Sequence, residues 1–174
     1  MLNKFKKKLS QEESLYNYIL LLSRNKIFYT KFNLEDTFQN RINLIFIHSS
    51  FLFIKNKLID THKTNKVFYQ SFFDIIFKKI ELNMREIGYG DVVVNKNMKY
   101  LVKTFYTILN QCENYKEKNE ALKNAFFNDF LTQNNGKIHP NNSKIAEYFD
   151  KFQAFCFDLS SDSVLKGKFN FNYK

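Results

Sequence analysis

The 174-residue chain contains no tryptophan, one proline, four glycines, two cysteines and three histidines. With so little glycine and proline there are too few tight turns for an all-β fold, and helices are expected throughout. Cys112 and Cys156 stand far apart with no CxxC relation, which leaves no disulfide framework and no zinc knuckle. Each falls on the apolar stripe of an expected helix and reads as a small core hydrophobe in a reducing compartment. His48, His62 and His139 have no histidine at i+3 or i+4 and no nearby cysteine, so metal-ligand spacing is missing, and no metal or other cofactor is expected. The sequence also lacks the glycine-rich phosphate loop, the dinucleotide fingerprint and the nucleophile elbow, so nothing in it points to an enzyme. The longest apolar stretch, Ile42 to Ile54, is broken by His48, Ser49 and Ser50 and is shorter than the roughly 20 residues that span a bilayer. At the N-terminus the run Ile19 to Leu22 is too short for a secretory signal, and Arg24 follows it.

What is present is aromatic and basic: 21 Phe, 10 Tyr and a net charge of +10. An AT-biased genome enriches the same residues, which weakens the charge as evidence of function. The balance still favours anionic partners, whether RNA, an acidic protein or a phospholipid surface. The expectation is an all-α bundle of about six helices with an extended C-terminal strap, in which residues 1–9 form a basic arm and 10–174 a single helical domain.

Ser10 and Glu13 make a capping box for a first helix whose inner face is Leu15, Tyr18, Ile19 and Leu22, ending near Lys26. Asp36 with Gln39 gives a second capping signal before a helix that is apolar almost all round. That helix is either central and doubly covered or a greasy binding surface. A third helix places Tyr69, Phe72, Phe73, Ile76, Ile80 and Ile87 inward and Asp74, Lys78, Glu81 and Arg85 outward. The outward pairs Asp74/Lys78 and Glu81/Arg85 have the i, i+4 spacing of surface ion pairs, a reading preferred here over a catalytic one. In the fourth, capped by Asn95, Met98, Leu101, Val102, Phe105, Ile108, Leu109 and Cys112 keep the helical rhythm while Lys96, Lys99 and Lys103 form a basic ridge. A fifth helix through Leu122, Phe126 and Phe130 ends at Asn134-Asn135-Gly136, and a sixth, after Pro140 to Ser143, carries Ile145, Tyr148, Phe149, Phe152, Phe155 and Cys156. Phe169, Phe171 and Tyr173 alternate with polar residues in the strap.

The joint between the third and fourth helices holds two of the four glycines. Gly88 is placed to close a helix at positive φ and Gly90 to let the chain turn again, holding Arg85 and Asp91 close together.

The segment MREIGYGD (Met84 to Asp91), followed by KNMKYLVKTFY (Lys96 to Tyr106), resembles the signature of the ubiquinol–cytochrome c chaperone family, which reads close to LREMGVGD, then K-x-M-K and a helix ending in a FYG-like step. Upstream, Tyr18, Arg24, Phe28-Tyr29, LEDTFQNR (Leu34 to Arg41) and His48 are similar to that family's landmarks in order, and VLKGKFNF is similar to its closing element. Departures are Glu35 for Pro, Asn40 for Gly and Thr107 for Gly. The resemblance implies an all-helical, non-enzymatic assembly factor for respiratory complex III that binds newly made cytochrome b, a membrane subunit. It further implies work at the ribosome exit with a small partner protein. Its location would be the bacterial cytoplasm or the inner face of the membrane, the matrix side in a eukaryote. The residues expected to contact a partner are Met84, Arg85, Glu86, Gly88, Gly90, Asp91, Lys96, Lys99 and Lys103. Two alternatives stand beside this reading. One is a basic helical module that binds ribosomal or other RNA, on the charge and the ridge. The other is a membrane-surface adaptor, on Leu2, Phe5 and Leu9 interleaved with Lys4, Lys6, Lys7 and Lys8.

Overall fold

Every residue from Ile42 to Leu52 is buried, which makes the third helix of the chain the axis of the molecule. The computed structural model describes residues 9–59, 63–134, 143–160, 163–164 and 170–173. The fold is all-α. Its elements are α1 (Gln11–Ser23), the single turn α2 (Ile27–Thr30), α3 (Phe38–Ile59), α4 (Lys63–Glu86), α5 (Asp91–Glu113), α6 (Glu120–Phe130) and α7 (Ser143–Asp158). A helix apolar on all sides is stable only if neighbours cover it, and α1, α4, α5 and α7 pack around α3. The polar residues carried inside by α3 are largely satisfied locally: the Ser50 hydroxyl donates to Phe46 O at 2.8 Å, and the His48 ring bridges Leu44 O and the Tyr148 hydroxyl.

The amphipathic stripes of the flanking helices supply the cover. On α5 they are Leu101, Phe105, Ile108 and Cys112, and on α7 Ile145, Tyr148, Phe149, Phe152 and Cys156. Both cysteines are buried free thiols, and burial raises their pKa above the usual range. Much of the core is ring against ring; Phe105 alone meets Phe46, Phe53, Phe73 and Phe77 edge-on at 5.3 to 5.8 Å. The strap's described residues, 170–173, are neither helix nor strand. The Phe171 N–H donates to the Tyr18 hydroxyl, and its ring sits 5.2 to 5.5 Å from Tyr148, Phe152 and Phe155. Phe169 lies outside the described residues, as does the arm apart from the exposed Leu9.

The capping box at Ser10 and Glu13 forms as the sequence requires. Three other helix ends differ. The N–H of Asn40 bonds the Thr37 hydroxyl at 3.2 Å, so Thr37 caps α3, while Asp36 takes the Arg41 guanidinium at 2.6 and 2.8 Å. A nearby arginine competes for the carboxylate that would otherwise cap. Asn95 lies inside α5, which begins four residues earlier with Gly90 as its N-cap. Helix α6 stops at Phe130, because residues 132–134 are drawn into antiparallel pairing with residues 33–35; Gly136 and Pro140 to Asn142 lie outside the described residues. The break before α6 is a 3₁₀ turn, Tyr115–Glu117, after which the Asn119 side chain caps Leu122 N at 2.9 Å. On α4, Asp74 accepts from Gln70 at 3.0 Å and is not paired with Lys78.

Candidate functional site

Helix α4 ends in two reversed hydrogen bonds, Gly88 N–H to Arg85 O at 3.0 Å and Tyr89 N–H to Met84 O at 3.1 Å, with Gly88 at φ +96°. This is the Schellman closure, and it needs a left-handed residue at Gly88. A Cβ built there meets nothing within 4 Å, so the cost of any side chain is conformational and not steric against neighbours. Gly88→Val is expected to lower stability by about 2 kcal/mol, with Gly88→Asn losing much less because asparagine tolerates this region; comparison of thermal midpoints checks it. Gly90 differs from expectation. It sits at φ −72°, ψ 160°, which any residue adopts, so its freedom is not used.

The two turns aim the chain so that α5 starts beside the end of α4. Arg85, in the last turn of α4, donates to Glu81 Oε1 at 2.9 and 3.1 Å and reaches across the joint to Asp91 in the first turn of α5. Both placements also suit the helix dipoles, cation at a C-terminus and anion at an N-terminus. The bond to Asp91, then that to Glu81, raises the guanidinium pKa further above its ordinary value. Arg85 thus fastens the joint, as the spacing implied.

The sequence-based contact residues do not all lie on one surface. Arg85, Glu86, Gly88, Gly90, Asp91, Lys96, Lys99 and Lys103 are exposed, while Met84 is fully buried. Met84 anchors the loop from below and offers no surface to a partner, because the α4 stripe continues through it. Ile87, placed in the core by its helical phase, is instead 61% exposed: its N–H still bonds Asn83 O at 3.1 Å, but it is the last residue before the left-handed turn at Gly88, where the stripe ends. Val92, 82% exposed, together with Val93, Tyr89 and Leu82, was missed; these apolar residues cluster with Ile87 within twelve residues of chain. The available signal was the run of three valines following Gly-Asp, of which only Val94 points inward.

Among the described residues no group of three or more His, Cys, Asp or Glu side chains could hold a metal ion, and no helix is long and apolar enough to cross a membrane. The joint can therefore do what its exposed groups do: offer apolar contact beside a basic helix face.

The model of the family described as ubiquinol-cytochrome C chaperone matches residues 30–171. The chain belongs to this family. A solved structure, that of the Cbp3 homolog from Brucella abortus, is similar with a TM-score of 0.78, covering 94% of this chain and 89% of that chain at 21% sequence identity. At that identity the likeness is one of fold. The comparison with curated proteins returned no match. The joint and the basic ridge both lie inside the span matched to this chaperone family.

Proposed function

We propose that the chain is a non-enzymatic assembly chaperone for ubiquinol–cytochrome c reductase that holds newly made cytochrome b, and that the α4–α5 joint is the edge it presents to this client. The family match over residues 30–171 carries the reading. The cluster of exposed apolar side chains at the joint supports the choice of edge, because a membrane subunit caught before insertion has apolar segments that must be shielded from water. In this reading Arg85, Glu86, Gly88, Gly90 and Asp91 shape the edge while Ile87, Tyr89 and Val93 supply its contact area. Such a protein works where the client is made, at the cytoplasmic face of a bacterial membrane or on the matrix side in a mitochondrion. A small partner protein there is compatible with the same reading.

The test is genetic and biochemical together. A deletion strain should show less assembled cytochrome bc complex on native gels while unrelated respiratory complexes stay level, and the chaperone should bring cytochrome b down from membranes opened in mild detergent. Unchanged levels of the complex would refute the reading. Arg85→Ala sharpens it: the side chain is 39% exposed, so melting should stay close to wild type while assembly fails. A small loss of melting temperature with normal assembly would make Arg85 a fastener of the joint and nothing more.

A further inference from the structure

Along α5 the outward residues have a pattern that holding a client does not explain. At about 100° per residue, Lys99, Val92, Lys103 and Lys96 fall within roughly 60° of arc, with Tyr106 on one flank and Tyr100 on the other. All six are exposed. The helix contains no acidic residue between its two ends, Asp91 and Glu113. Both terminal acids are engaged elsewhere, Asp91 with Arg85 and Glu113 with Lys57 at 2.8 Å. Asp129 of α6 lines the same cleft as Lys103. The three lysines thus present like charge on one narrow strip, with Asp129 near its Lys103 end. The strip begins in an aliphatic side chain, Val92, a few residues after the exposed Ile87 and Tyr89 of the loop.

We propose that the outward face of α5 docks on an anionic phospholipid surface, with Lys96, Lys99 and Lys103 against the lipid phosphates and Val92 set into the boundary between headgroups and acyl chains. A basic strip with tyrosines on its flanks would serve RNA as well. Val92 decides between the two, since an aliphatic side chain exposed in the middle of the strip gains nothing from a sugar–phosphate backbone and gains burial at a lipid interface. The opposite face of α5 is packed on α3 and α4, so the helix lies along the surface and does not enter it. The tyrosines suit the same level, with the ring toward the acyl boundary and the hydroxyl in the headgroups. The proposal stands apart from the client reading and is tested without any client.

The experiment is flotation of the purified full chain with phosphatidylcholine vesicles, plain or doped with phosphatidylglycerol, across a salt series. Binding should require phosphatidylglycerol and weaken with salt. Changing Lys96, Lys99 and Lys103 together to Gln should cut it roughly 100-fold, taking each lysine as about fivefold near an anionic surface. Val92→Ser should keep the salt dependence but lose binding several-fold at every salt concentration. All four positions are exposed, so these variants should melt as wild type does; Lys99→Glu alone gives a second reading should the triple variant fold poorly. Full-strength binding by the triple variant, lost instead on removing residues 1–8, would move the contact to the N-terminal arm and overturn the proposal. Tight binding of single-stranded RNA, equal in the wild type and the valine variant, with vesicles left unbound, would overturn it in favour of nucleic acid.

Discussion

Asn40→Ala is expected to lower the unfolding free energy by about 4 kcal/mol, a loss at the far end of what single substitutions do. The side chain of Asn40 is fully buried at the first turn of α3. Its amide donates to Glu35 O at 2.8 Å and to Thr132 O at 2.7 Å, and its oxygen accepts the Thr132 N–H at 2.9 Å. It is the hub of a clasp that ties the segment before α3 to the segment after α6. The rest of the clasp is an antiparallel bridge between Leu34 and Gln133, with Glu35 N–H to Thr132 O at 2.9 Å, Asn134 N–H to Asn33 O at 3.0 Å, and the Gln133 amide on Phe32 O at 3.2 Å. Alanine would leave the Thr132 N–H without its partner and take one donor from each of two carbonyls, at about 1 to 3 kcal/mol for a group left unsatisfied in the interior. Asn40→Asp should be worse, because the carboxylate keeps the bond to Thr132 N–H but turns its other oxygen against two carbonyls. Urea unfolding midpoints of the two variants decide the matter. A loss below about 1 kcal/mol would mean that water enters and replaces the amide. Since Asn43 and Thr132 also line the cleft beside Lys103, a loosened clasp would disturb the neighbour of the basic ridge as well.

That clasp shows where sequence reading stops. Asn40 was visible only as a departure from a family glycine, and its partner is 92 residues away, a distance over which no period or spacing speaks. Local pattern was sufficient where the structure is local. The rhythm of α5 named Leu101, Phe105, Ile108 and Cys112, all buried, and the all-round apolarity of α3 pointed to the covered central position. It failed at helix ends, where competing partners decide. Asn95 has the right chemistry for a cap, yet α5 starts at Asp91, since an acid in the first turn and an extended Gly90 serve equally well. The same happened at the joint. Gly88 and the nearness of Arg85 to Asp91 could be read from residue type and spacing. The exposure of Ile87, Val92 and Val93 could not, because apolar residues count toward a stripe until the backbone is seen to leave it. The family assignment drew on the identity of the residues in MREIGYGD more than on their physical pattern, which by itself reads as an ordinary helix closure.

Stability is expected to fall by about 3 kcal/mol as the pH drops from 6.5 to 4, through one histidine. His48 lies in the centre of α3, fully buried, with its ring 4.8 to 5.9 Å from those of Phe28, Tyr148, Phe149 and Phe152. Its Nδ1 stands 2.6 Å from Leu44 O, and a carbonyl can only accept, so the proton is on Nδ1. Nε2 is then a bare acceptor, 2.9 Å from the Tyr148 hydroxyl, which donates to it and whose own pKa is pushed up by burial. Adding a second proton would place a charge in an aromatic interior and force the Tyr148 hydroxyl to give up its bond, so desolvation lowers the His48 pKa to about 4, only partly offset by Leu44 O. An unfolded chain binds that proton near its ordinary value of 6.5. Between the two values the unfolded state holds more protons than the folded one, so stability is fully present above 6.5, falls on acidification, and levels off below about 4. Carboxylates add to the acid loss, Asp36 among them, since its bond to Arg41 holds its pKa below the usual range. The measurement is therefore a difference: unfolding free energy against pH for the wild type and for His48→Gln, which keeps a polar side chain but cannot titrate. The variant is expected to start less stable and to lose less between pH 6.5 and 4, so that the two curves converge. Parallel curves would mean that the folded protein takes the proton on His48 at no cost and that the aromatic cage around it does not exclude charge.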